Sequence, residues 1–211
     1  MNIPSAAPRR FLATVAIATA VLLAGCSAMQ AQNPSSPLKP VNAVTDANAE
    51  RLMLKGHDVV SYFTDGHHAL GSPQFQSVYE GVTFRFASAG HKSLFDAAPQ
   101  KYLPQYGGFC ADGIVYAIPW GGDADTWLMR DGKLYIFGGA GSKAAYMLDV
   151  PRNQKLADQY WADEVAGSNS IWQRSKRLIF RVPHYKSGEE LARMVKEAEA
   201  KGTAGGMSSK S

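Results

Sequence analysis

The sequence predicts an α+β fold: two β-hairpins packed against short helices, followed by a C-terminal amphipathic helix. Two pairs of apolar-rich segments are each joined by a dipeptide ending in glycine, Glu80-Gly81 and Asp131-Gly132, which is the spacing of a two-residue hairpin turn. Elsewhere apolar residues recur at three- and four-residue intervals, the period of a helix with one buried face. The composition is 45% hydrophobic and 19% charged over 211 residues. That excludes a disordered, collagenous or polytopic membrane protein as the main body.

The first 25 residues read as an export signal. Arg9-Arg10 precede FLATVAIATAVLL, thirteen uncharged residues at 11–23. A positive start before so short an apolar stretch marks a secretory signal peptide and is too short to span a bilayer comfortably. Leu23-Ala24-Gly25-Cys26 resembles the bacterial lipobox, which implies cleavage before Cys26 and lipidation of its sulfur. By the same resemblance the protein carries three acyl chains, enough for stable anchoring. Ser27 after the cysteine implies an outer-membrane lipoprotein facing the periplasm. Residues 26–45 hold Pro34, Pro37 and Pro40 among Ser, Asn, Gln and Ala and read as a flexible tether. The 186 residues left after removal of the first 25 suit one compact domain, assigned to 46–202, with a frayed tail at 203–211.

The elements follow in order. Residues 75–79 and 82–86 form the first hairpin. Ser88 caps a helix bounded by Pro99, with Leu94, Phe95 and Ala98 on its apolar side and His91 facing inward. Pro99 starts another helical turn and Pro104 ends it. Gly107-Gly108 break the chain, and residues 109–118 read as a strand carrying Cys110. Residues 126–130 and 133–137 form the second hairpin. Ser142 caps a helix to about Leu148; Pro151 suits the first turn of the next, which runs to about Val165. Ser187-Gly188-Glu189-Glu190 is a capping-box pattern. It opens a helix with Leu191, Met194, Val195 and Ala198 as its stripe, stopped by Gly202. Phe84, Phe86, Leu94 and Phe95 are expected to share one core.

A series of short motifs carries a resemblance. It comprises Gly56-His57-Asp58-Val59-Val60-Ser61-Tyr62-Phe63, Phe84-Arg85-Phe86-Ala87-Ser88, His91, Phe95, Pro99-Gln100-Lys101-Tyr102 and Pro104-Gln105-Tyr106-Gly107-Gly108-Phe109-Cys110-Ala111. In this the chain resembles the YHS-domain family, in its bacterial lipoprotein and periplasmic branch, over roughly residues 50–165. The resemblance implies a small α+β unit of the kind attached to heavy-metal transport and detoxification proteins. The family's metal role rests on two cysteines; here Ala87 and His91 stand at their positions.

Cys110 is the only thiol left once Cys26 is lipidated, so no disulfide within the chain is possible. The metal donors at hand are Cys110, His91, His57 and Asp58, with His67-His68 reading as a polar turn. Thiolate with imidazole would take copper or zinc. Each donor also has a plain structural reading: His91 as a hydrogen-bonded core histidine, Cys110 as a small buried hydrophobe, Asp58 as a cap on the turn at Gly56-His57. Cys110 with His91 could form a thiolate–imidazole catalytic pair, but no third orienting group or oxyanion site accompanies it. The aromatic residues Tyr62, Tyr79, Tyr102, Tyr106, Trp120 and Trp127 could line a pocket, though most are needed in the core. No phosphate loop, dinucleotide fingerprint or nucleic-acid module is present. Arg174, Lys176, Arg177, Arg181 and Lys186 cluster without an acid between Glu164 and Glu189. They read as a contact for anionic lipid or a polyanion, or more simply as a solvated face.

The expected function is therefore a non-catalytic, lipid-anchored periplasmic protein that binds a transition metal or a metal-handling envelope protein. The alternative is a metal-free module for a small ligand or a protein, and a Cys/His thiol enzyme is the weakest reading. Nucleic acid is not an expected partner.

Overall fold

The computed structural model describes residues 43–45 and 51–202. The expected signal peptide, most of the tether including Cys26, and the expected frayed tail lie outside the described residues. The fold is mixed α+β, as the patterning predicts. The strands are β1 (Ala43–Thr45), β2 (Arg51–Met53), β3 (Ser72–Tyr79), β4 (Val82–Phe86), β5 (Asp123–Arg130) and β6 (Lys133–Phe137). The helices are α1 (Ser61–Thr64), α2 (Ala89–Ala97), α3 (Pro99–Tyr102), α4 (Ala111–Val115), α5 (Ala140–Met147), α6 (Val150–Tyr160), α7 (Ser170–Ile179) and α8 (Gly188–Ala200). One sheet runs β1-β2-β4-β3, with β2 and β4 parallel and the other pairs antiparallel. The second sheet is the β5-β6 hairpin. β1 was expected to be the end of the tether; instead it pairs with β2.

Both hairpins form where expected, and for the expected reason. Glu80 and Gly81 take φ of 51° and 75°, and Asp131 and Gly132 take 51° and 69°. Two consecutive positive φ angles define the turn whose twist matches that of the flanking strands. The chain 109–118 departs from expectation. It holds no ladder beyond a single bridge between Cys110 and Ile136. Its backbone bonds are local: Ile114 N–H donates to Cys110 O at 3.1 Å, and Ile118 N–H to Gly113 O at 2.9 Å. The chain doubles back so tightly at Gly113 that a Cβ there would lie 2.6 Å from Ile118 O. The result is the short helix α4, with Cys110 at its N-terminal boundary.

The remaining caps are mixed. Ser88 Oγ accepts from His91 N–H, and Ser187 with Glu190 forms the full capping box. Ser142 is not a cap. α5 starts three residues earlier than a Ser142 cap would set it, after Gly139 (φ 128°), and the Ser142 hydroxyl donates back to Gly139 O at 2.8 Å. α6 opens on an Asp149 cap with Pro151 in its first turn and runs on through a wider turn at Trp161–Val165. α7 was not expected. Its sequence, SIWQRSKRLI, is mostly polar, but Asn169 Oδ1 caps it by accepting from Ile171 N–H and Trp172 N–H.

Strand β6 organises the core. Leu134 and Ile136 project from one face into a cluster with Val82, Phe84, Phe86 and Phe95. Tyr135 and Phe137 project from the other face into a cluster with Phe109, Ile114, Tyr146 and Ala157. All four are buried, so one strand is the shared wall of two apolar clusters. Phe84, Phe86 and Phe95 meet as expected, but Leu94 is 43% exposed and belongs outside. Its neighbour Phe95 takes the inward direction and stacks at 4.6 Å on Phe84.

Because β6 is common to both clusters, truncation on either face should weaken the whole fold. Ile136→Ala is expected to lose about 2–5 kcal/mol and Phe137→Ala about 3–5 kcal/mol. In each variant, far-UV dichroism and tryptophan fluorescence should report one coincident denaturant transition. Separate transitions would show that the clusters unfold independently.

Candidate functional site

The expected metal donors divide into two places. Asp58 and His91 come together: His91 Nδ1–H donates to Asp58 Oδ2 at 2.6 Å. The fully buried Asp58 carboxylate also accepts from Val60 N–H and Ala87 N–H, each at 2.8 Å. The other imidazole nitrogen of His91 lies 3.2 Å from the Thr64 hydroxyl and 3.6 Å from an Asp65 carboxylate oxygen. The Thr64 hydroxyl also reaches Val60 O at 3.2 Å, on its own helix. Asp58 thus ties together the loop before α1, the end of β4 and the start of α2. This is a brace in which both buried carboxylate oxygens are hydrogen-bonded.

His57 and Cys110 stand apart from that brace. His57 Nδ1 is 3.0 Å from Leu54 O, and its ring lies 6.0 Å from that of His68. Cys110 lies in the other apolar cluster, 3% exposed, against Gly138. Among the described residues no three His, Cys, Asp or Glu side chains converge as a metal site. The expected grouping of Cys110, His91, His57 and Asp58 around copper or zinc therefore does not form. Nor does a Cys110–His91 catalytic pair. The physical reason is that the chain passes from the first cluster at Tyr102 to the second at Tyr106, against Tyr135, before Cys110 is reached, while His91 stays with the first sheet. Burial also pushes the Cys110 thiol up, and nearby backbone N–H groups and the Ser142 hydroxyl offset this only in part. A thiol so placed is a poor nucleophile and a poor ligand.

The structure offers a different site, beneath the C-terminal helix. α8 has no fully buried residue. It is carried over α4 and α5 by a connecting strip in which Val182 is buried and a ring nitrogen of His184 lies 2.9 Å from Val115 O. Between α8 and the domain lie two adjoining cavities, of about 410 and 290 Å³, in the range that holds small ligands. They share Asp112, Ser142, Gly188 and Leu191. The larger is walled by Ala145, Leu191 and Val195, and the smaller by Cys110, Tyr116, Ile118 and Trp120.

Asp112 is the ionisable group at their junction. It is 7% exposed and takes no hydrogen bond from another described residue, and its oxygens keep contact with solvent through the cavities rather than being sealed from it. Burial alone pushes its pKa from the usual 3.8 up to about 7. Most buried carboxylates are matched by donors, as Asp58 is. A carboxyl shifted by burial on the wall of a largely apolar cavity is a candidate ligand-binding group. Sequence reasoning missed Asp112, because an Asp inside an expected strand looks like an outward-facing residue. It named Trp120 among the aromatics that could line a pocket, and Cys110 for other roles; both line the smaller cavity. The signal that could have pointed to Asp112 is its place between apolar neighbours in CADGIV.

In comparisons with known proteins, the chain matches no protein-family model, no curated protein and no solved structure.

Two outcomes follow from this geometry. Copper(I) or zinc titrated into the wild type and into Cys110→Ala should give equal affinities; a weaker Cys110→Ala would restore the thiolate site. For Asp112 the folded pKa lies above the unfolded one. From about pH 4 to about pH 7 the folded chain therefore holds a proton that the unfolded chain has released. Stability is highest below that window and falls as the pH rises through it. Asp112→Asn should flatten this slope and raise stability above pH 7 by up to a few kcal/mol, read from denaturant melts across the window. An unchanged slope would mean that Asp112 is ordinarily solvated.

Proposed function

We propose that the chain is a non-catalytic, YHS-like binding module of the bacterial cell envelope, anchored through a lipid on Cys26 and facing the periplasm from the outer membrane. It takes a small ligand with an apolar body and an amine in the cavity beneath α8. The observation that carries the ligand reading is Asp112, buried and without donors where the two cavities meet. A protonated amine would supply the hydrogen bonds and the opposite charge that the carboxyl lacks, while Leu191, Val195 and Ala145 shelter the apolar body. Of the earlier alternatives this favours the metal-free module, since the donors for a transition metal are dispersed. The Asp58–His91 brace is structural in this reading: it fixes the first sheet and leaves the cavity to the second half of the chain. No helix among the described residues is long and apolar enough to cross a membrane.

The test uses octylamine, octanol and octanoate as probes, with affinity measured by calorimetry near pH 7. The amine should bind best, and octanoate worst, because a second carboxylate meets Asp112. Amine affinity should increase as the pH rises through about 7 and Asp112 ionises. Asp112→Asn should lower amine affinity about tenfold or more and leave octanol nearly unchanged. Equal binding of all three probes, or an unchanged Asp112→Asn, would remove Asp112 from the site.

A further inference from the structure

Helix α7 is turned with its polar side toward the protein. Gln173 is buried and its side-chain amide donates to Ala117 O at 3.0 Å. Arg174 Nε donates to Pro119 O at 2.8 Å, and its guanidinium lies over the Trp120 ring. Lys176 Nζ pairs with Glu164 at 2.9 Å, and Arg177 pairs with the same carboxylate. These bonds hold the helix in one rotation. The apolar residues are thereby forced outward: Trp172 is 69% exposed, Leu178 55%, Ile179 73% and Phe180 68%. Four large apolar side chains exposed along one short segment are more than the single exposed residues an ordinary surface carries. The basic cluster is thus not the plain solvated face that its composition suggests.

We propose that α7 and the residues after it, through Phe180 and Arg181, dock on the surface of an anionic phospholipid bilayer. Charge selects this occupant. Between Glu164 and Glu189 stand five basic residues and no acid. Glu164 offsets one of them through the Lys176 and Arg177 pairs. Arg181 lies exposed beside the apolar patch, with its guanidinium over Tyr185, and Lys186 follows at the edge of the smaller cavity. Apolar side chains flanked by arginine and lysine are the composition of a helix lying in the bilayer interface. Trp172, Ile179 and Phe180 enter the boundary between headgroups and acyl chains, and the basic groups meet the phosphates. Leu178 also lines the smaller cavity, so docking sets that cavity beside the bilayer.

The full chain carrying Ile179→Cys is labelled at that thiol with a polarity-sensitive fluorophore, Cys110 being buried and Cys26 either lipidated or, in chain without the lipid, replaced by serine. Gln74→Cys, on exposed β3, is the control. With vesicles of phosphatidylglycerol and phosphatidylethanolamine, quenching of the label by aqueous acrylamide should fall severalfold at position 179 and stay unchanged at position 74. Phosphatidylcholine vesicles should protect position 179 far less. Arg181→Gln should lower the docked-to-free ratio on the anionic vesicles about fivefold, the effect of one basic group near a charged bilayer. Equal quenching with and without anionic vesicles would overturn the docking. So would protection without vesicles together with a dimer mass in sedimentation, which would identify a second copy of the chain as the occupant. The docking and the lipid anchor fail separately. Anchored protein with position 179 still open to acrylamide removes the docking alone, and chain lacking the lipid but protected on anionic vesicles removes the anchor alone.

Discussion

The burial of β6 on both faces is the constraint on which the rest of this structure depends. A strand in a two-stranded hairpin ordinarily has one face to the core and one to water. Here Leu134 and Ile136 complete the cluster built on the first sheet, while Tyr135 and Phe137 complete the cluster built on α4, α5 and α6. Neither cluster is closed without its half of the strand. Close approach of backbone around β6 follows from the same demand: a Cβ on Gly122 would lie 2.4 Å from the Ile136 side chain and 2.6 Å from Gly108 O. Glycine stands there because the segment after α4 must pass within backbone contact of the shared wall.

Two buried aspartates show how environment divides one residue type into two roles. Asp58 is surrounded by donors, two backbone N–H groups and an imidazole, and so acts as a joint between three segments. Asp112 is enclosed by apolar walls and has no donor among the described residues, so burial raises its pKa to about 7. The first arrangement stabilises the fold and leaves nothing for a ligand. The second costs stability at neutral pH and leaves an acceptor open. Stability given up at one group, in a cavity under a helix with no buried residue of its own, is what a binding site requires.

Helix α7 makes the same point with polar and apolar sides exchanged. Ordinary amphipathic helices bury their apolar stripe. In α7 the carbonyls of Ala117 and Pro119 and the Glu164 carboxylate recruit the polar side inward. Three acceptors at the surface of the domain thus decide which residues meet solvent, and the hydrophobic ones do.

Much of the fold was legible in the sequence because its signals are local. Glu80-Gly81 and Asp131-Gly132 set hairpins through two positive φ angles, and Ser88 and Ser187 start helices through their own hydroxyls. Asp149 and Asn169 cap in the same way but were not read as caps. Residues 109–118 defeated pattern reading, since a continuous apolar run suits a buried strand and a buried helix equally well. The candidate site was less legible still. His91 could be placed facing inward from helical period, but its partner lies 33 residues earlier, at Asp58. Whether Cys110 would meet it depended on which side of β6 the chain takes between Tyr102 and Tyr106. The sequence by itself determined the hairpins, the capped helices and the presence of an inward histidine, because each needs only neighbours within a few residues. Tertiary structure alone decided that Cys110 and His91 part, that Asp112 lacks donors and that α7 faces outward, because each depends on which distant groups come to share one volume.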